Sequence, residues 1–168
     1  MKRILLFIIL ILPVAAFAGT PQKTVPRADV SALISECRHY EGADVVSLGP
    51  VATTAMKGLI RIATIGDPDA QKVMSVMTGI HGISVFNFED CCAKDKARII
   101  KKLEKVLSGS DMLMEASDGG EKMRIYGVVN EDADQVKDFV LYAPSDCSLI
   151  CLFGSISMDV IAKLAAND

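Results

Sequence analysis

Apolar positions recur in two rhythms along this chain. A first half of helices interleaved with short strands gives way to a second half of alternating strands. Val30, Leu33, Ile34 and Cys37 stand at i, i+3, i+4 and i+7, which predicts an amphipathic helix over residues 28–40 with Cys37 toward the core and Gly42 as its stop. "ADVVSLG" reads as a short strand, and "PVATTAMKGLIRIAT" as a helix opened by Pro50. Gly66-Asp67-Pro68-Asp69 punctuates, and "AQKVMSVM" predicts a brief helix capped by Asp69. His81 lies between Gly79 and Gly82 in an expected turn before the strand "ISVFNF". The strongest helical stripe is Ile99, Ile100, Leu103, Val106 and Leu107, on a helix over 91–108 with Asp90 as N-cap and Gly109 beyond its end.

From residue 111 the period falls to two. Met112, Met114 and Ala116 alternate with Asp111, Leu113 and Glu115. After Asp118-Gly119-Gly120, Met123, Ile125 and Val129 alternate with Lys122, Arg124 and Tyr126, which predicts a hairpin. "VKDFVLYA" and "DCSLICLFGSI" pair across Pro144-Ser145; the second is apolar on both faces and should be a central strand. Ser157 would cap a terminal helix, "MDVIAKLAA". The fold class expected is α+β: an antiparallel sheet containing a C-terminal four-strand meander, helices on one face, and a core of the ferredoxin-like kind.

The N-terminus changes which residues count toward that domain. Lys2 and Arg3, the apolar run Ile4–Leu12 and Ala16-Phe17-Ala18 before Gly19 have the form of a secretory signal peptide, residues 1–18, with "GTPQKTVPR", residues 19–27, as a flexible tether and 28–168 as a single domain. Removing eighteen of the 168 residues leaves 150, enough for one core. Losing Lys2 and Arg3 moves the net charge from −3 to −5. That acidity, with no basic cluster beyond Lys101-Lys102, argues against nucleic acid as a partner, and no later apolar run is long enough for membrane insertion after cleavage. The location expected is therefore periplasm or cell envelope.

"DMLMEASDGGEKMRIYGVVN" followed by "VKDFVLYAPSDCSLICLFGSISMDVIAKLA" resembles the C-terminal half of the exported bacterial family known as domain of unknown function 4252, and "GADVVSLGPVATTAMKGL" resembles its first strand and helix. The resemblance covers most of the chain after residue 18. It implies an envelope protein of Gram-negative bacteria without an assigned activity, and no site residues.

Candidate chemistry centres on sulfur. Cys37, Cys91, Cys92, Cys147 and Cys151 all follow the leader, where an oxidising compartment could crosslink them, and an odd count leaves at least one unpaired. Neighbouring Cα atoms are about 3.8 Å apart, below the usual disulfide range from about 4.4 Å. Cys91 and Cys92 would therefore need a distant partner, for which Cys37 is placed best. Cys147 and Cys151 share a strand face but sit about 13 Å apart along it. A thiol in the first turn of a helix is favoured as thiolate by the dipole, which makes a redox enzyme or sensor using Cys91 or Cys92 the alternative function. Without a C-x-x-C motif, buried or disulfide-bonded thiols are the plainer reading.

Other signals fail on detail. Asn130, Asp132 and Asp134 alternate like a calcium loop, but its glycine and glutamate positions hold Gln135 and Leu141. His39 and His81 lack a nucleophile elbow, Glu89-Asp90 is explained by helix capping, and no glycine-rich phosphate loop is present. No catalytic residue, metal ligand or cofactor is expected. The function expected is that of a non-enzymatic exported protein binding an envelope partner or small ligand, with Lys122, Arg124, Tyr126, Lys137 and Asp138 as a candidate docking face.

Overall fold

The computed structural model describes residues 24–63, 77–118, 121–130 and 134–158. The leader, most of the tether, all but the last residue of the helix expected over "AQKVMSVM", the Gly119-Gly120 turn and all of the terminal helix beyond Met158 lie outside these residues. The elements, in chain order, are α1 (Arg27–Cys37), β1 (Asp44–Leu48), α2 (Pro50–Ala63), β2 (Ile80–Asn87), α3 (Ala93–Leu107), β3 (Met112–Asp118), β4 (Glu121–Val129), β5 (Gln135–Ala143) and β6 (Ser148–Ser157). The strands form one six-stranded sheet in the order β1-β2-β6-β5-β4-β3, every neighbouring pair antiparallel. The four-strand meander is therefore present, and doubly apolar β6 is central, between β2 and β5. The ferredoxin-like expectation is corrected: that motif runs β-α-β-β-α-β, whereas here β1 and β2 are neighbours and a helix precedes an unbroken run of four strands.

Helices α1 and α3 cover one face of the sheet. Val30, Leu33, Ile34 and Cys37 of α1 and Ile99, Leu103 and Leu107 of α3 pack on Phe86, Val140, Tyr142, Leu149, Cys151 and Phe153 from the strands. Lys102 Nζ meets Glu36 Oε1 at 2.6 Å between the two helices. Order reaches further toward the N-terminus than the tether reading allowed, since Val25 is buried in this core and Arg27 opens α1. Asp90 does not cap α3. A turn closed by the Cys91 N–H on the Phe88 carbonyl carries the Cys91 side chain into the core, so the N-cap falls to Cys92, whose carbonyl accepts from the N–H groups of Asp95 and Lys96. His81 lies within β2 at a bulge, and no turn separates Ile80 from the strand.

The phase of β4 is opposite to the expected one. Tyr126 is buried under the helices, and Arg124 on the same face reaches Glu115 at 2.9 Å and Glu104 of α3 at 3.5 Å. The alternate set faces the other way, where Met123, Leu141 and Ala143 form a second cluster with Met114, Ala116, Phe139 and Ile150. One cross-strand row of that face is apolar through all six strands: Met114, Ile125, Leu141, Ile150, Val85 and Val46. Met123 and Leu141 are under 10 % exposed, whereas Val85 and Val46 at the β1 end are 36 % and 52 % exposed. Of the expected docking face, Tyr126 is buried, Arg124 and Asp138 are half-buried, and Lys122 and Lys137 are exposed.

Where β2, β6 and β5 meet, two backbones touch. Ser155 N–H donates to the Gly79 carbonyl, Gly154 has φ +130°, and its N–H donates to Asp138 Oδ1 at 3.1 Å. Asp138, at φ +51°, is held in a left-handed conformation by that bond across the strands.

Tyr142 is fully buried, and its hydroxyl has no hydrogen-bond partner among the described residues. Burial pushes its ionisation well above the ordinary phenol range. An unpaired buried polar group costs about 1–3 kcal/mol, so Tyr142→Phe should raise the unfolding free energy by about 1 kcal/mol in urea titration; a loss of similar size would mean that the hydroxyl has a partner.

Candidate functional site

The five cysteines carry free thiols. Cys37 ends α1, Cys91 precedes α3, Cys147 closes the β5–β6 turn and Cys151 lies mid-β6; all four are buried in the helix-covered core. Cys92 is exposed, and its Sγ donates to Asp95 Oδ2 at 3.2 Å. Burial pushes the Cys37, Cys91 and Cys147 thiols up from their ordinary 9.0 and Cys151 to about 12. A nucleophilic thiol needs the opposite shift. The structure thus buries four of these residues and, at Cys91, shows the reverse of the helix-start activation.

These thiols set a pH dependence. The unfolded chain gives up its thiol protons near 9.0, the folded chain only higher, up to about 12 at Cys151. Between those values the folded state binds more protons, so stability falls as pH rises. Under reducing conditions the urea midpoint should drop from pH 9 to pH 12, and Cys151→Ala should make that slope shallower; an unchanged slope would mean that Cys151 ionises freely in the folded protein.

The other sequence candidates do not assemble. His39, His81, Glu89 and Asp90 are all exposed. Asn130 is a turn clamp: its Oδ1 accepts from the N–H groups of Asp134 and Gln135, and its Nδ2 donates to Asp134 Oδ1. No group of three potential metal ligands occurs among the described residues. No helix among them is long and apolar enough to cross a membrane.

One concavity does gather polar groups. Arg27, Ser31, Ile34 and Arg38 follow one another at spacings of four, three and four, so three turns of α1 bring them onto one line. That line faces the β1–β2 end of the sheet, where Ser47 is the register partner of Ser84. Between helix and strands lies a cavity of about 300 Å³. Its walls include Val45, Leu48 and Phe153, and no Asp or Glu is among its lining residues. The Arg27 guanidinium carbon sits 4.6 Å from the centre of the Phe153 ring, a cation–π distance that fixes the group at the cavity wall.

Ser47 Oγ and Ser84 Oγ are 3.1 Å apart. One hydroxyl donates to the other, which leaves the second O–H of the pair able to donate into the cavity. Ser84 is 8 % exposed, so this hydroxyl pair is partly shielded from water. Neither Arg27 nor Arg38 forms an ion pair with an acid among the described residues. A wider groove between α1 and α3 is crossed by the Lys102–Glu36 pair and holds charges of both signs. The sequence reading missed the first pocket because it placed Arg27 in the tether and had no register to set Ser47 against Ser84; the 4-3-4 spacing from Arg27 to Arg38 was its one visible trace.

No curated protein and no solved structure matches this chain. The family described as Domain of unknown function (DUF4252) matches residues 40–164, from the last residues before β1 through the whole sheet, and the chain belongs to that family.

Proposed function

We propose that this is an exported, non-enzymatic binding protein of the bacterial envelope that takes a small ligand, or the tip of a partner protein, in the pocket between α1 and the β1–β2 end of the sheet. The pocket carries this reading: it joins two cations and two sheet hydroxyls to an apolar wall. Ligand sites characteristically combine apolar lining with a few convergent polar groups, and about 300 Å³ is the lower end of their size range. Export is supported by the form of residues 1–18. A binding role is favoured over thiol chemistry at Cys91 or Cys92 because Cys91 is buried with its ionisation suppressed and the exposed Cys92 donates its S–H to the Asp95 carboxylate.

Two measurements test this. Intact mass of the protein recovered from the periplasm should correspond to residues 19–168. Titration of small acidic, basic and neutral fragments, followed by amide NMR, should move the signals of Ser47, Gly49, Gly82 and Ser84 saturably for at least one class. If no class does so, the pocket is not a ligand site.

A further inference from the structure

We propose that the ligand of this pocket carries an oxyanion, a carboxylate or phosphate, on a short apolar body; this rests on the pocket reading above and names its chemistry. The whole chain has a net charge of −3, yet this cavity is lined by two arginines and no acid. The local field therefore has the opposite sign from the molecule and favours anions at this place. Arg27 and Arg38 start about 16 Å apart along α1, and both border the cavity, one at each end of the line. An anionic head in the cavity lies in the field of both cations, and there it can also accept from the free hydroxyl of the Ser47–Ser84 pair. Arginine presents its donors as a fork that matches carboxylate or phosphate oxygens.

The apolar body is required by the remaining walls. Ile34 is buried, Val45 and Leu48 are half-buried, and the Phe153 ring backs the Arg27 guanidinium. Inorganic phosphate alone would leave these surfaces wet. The cavity volume limits the body to a few carbons.

Gly82 supplies an independent handle. A methyl placed on it would stand 3.5 Å from Arg27 Nη2 and from the Leu48 carbonyl oxygen and 3.6 Å from the Phe153 ring, ordinary contact distances. Gly82→Ala should therefore fold and fill the floor of the pocket.

The probes are hexanoate, hexyl phosphate, hexylamine and hexanol, each titrated into the exported protein at low salt and followed by amide NMR. Saturable shifts at Ser47, Gly49, Gly82 and Ser84 are expected with hexanoate, hexyl phosphate or both. A response to only one of them assigns the head as carboxylate or as phosphate. Arg38→Gln, at an exposed position, should weaken binding about tenfold, and Gly82→Ala should abolish it with the remaining spectrum unchanged. Arg27→Gln should also weaken it, but Arg27 packs on Phe153, so the Arg38 and Gly82 variants decide. Equal binding of hexylamine or hexanol, or affinity unmoved by Arg38→Gln, overturns the oxyanion assignment and leaves the pocket reading standing. Failure of all four probes overturns both.

Discussion

Gly154→Ala should destabilise the protein by about 3 kcal/mol or more, the largest effect expected of any single added methyl group in the sheet. Its φ of +130° lies where side-chain-bearing residues rarely go, and a Cβ there would stand 2.2 Å from the Gly79 carbonyl oxygen and 3.0 Å from the Ile80 Cα. Both obstacles are backbone, so no side-chain rotation relieves them. The opposing residue is equally committed, since a Cβ on Gly79 would meet the Ser155 carbonyl oxygen at 1.9 Å. The substitution would have to push β2 away from β6, breaking the Ser155-to-Gly79 and Gly154-to-Asp138 bonds as it did so. Thermal unfolding followed by circular dichroism should show the midpoint lowered by roughly ten degrees. A shift of only one or two degrees would mean that the strands separate there at little cost.

Phe86→Ala should be of similar size by a different mechanism. Phe86 is fully buried, its ring centre is 5.2 Å from that of Phe88 with a tilt of 37°, and its register partners Val45 and Leu149 flank it across β1 and β6. Truncation removes the transfer free energy of the ring and leaves a cavity in the helix-covered core, together about 3–5 kcal/mol. Val46→Ala is the contrast on the next residue of β1. That side chain points to the opposite face and is 52 % exposed, so its loss should cost less than about 0.5 kcal/mol. Urea unfolding of the two variants side by side checks the assignment of faces as well as the sizes, because equal costs would place Val46 in a packed interior.

The pair also marks how far a residue pattern could be read. Helix α3 was legible because its stripe, Ile99, Leu103 and Leu107, has one buried solution and a charged remainder. The meander was legible because β3 to β6 keep a period of two between strong turns. Alternation, however, fixes which residues share a face and leaves open which face the helices take. In β4 both alternate sets have something to bury. Tyr126 goes under the helices with Arg124 neutralised by Glu104 and Glu115, while Met123 and Ile125 go to the other side. Taking the set with more charges as the wet one therefore inverted the strand. Asp90 was similarly a sound cap candidate by type, but burial of Cys91 moved the helix start two residues on. The pocket depended on information no local pattern holds, the pairing of Ser47 with Ser84 thirty-seven residues away.

The strand order has a kinetic consequence. Among the described residues β6 is the last strand and the only strand that joins the β1–β2 pair to the β3–β4–β5 ribbon. Until it arrives, the earlier strands are two fragments with no edge in common. Neither can close the shared interior, and the long-range pairings that β6 makes are of the slow-forming kind. Completion of the sheet is thereby deferred until β6 is available, so the shared interior closes late in folding.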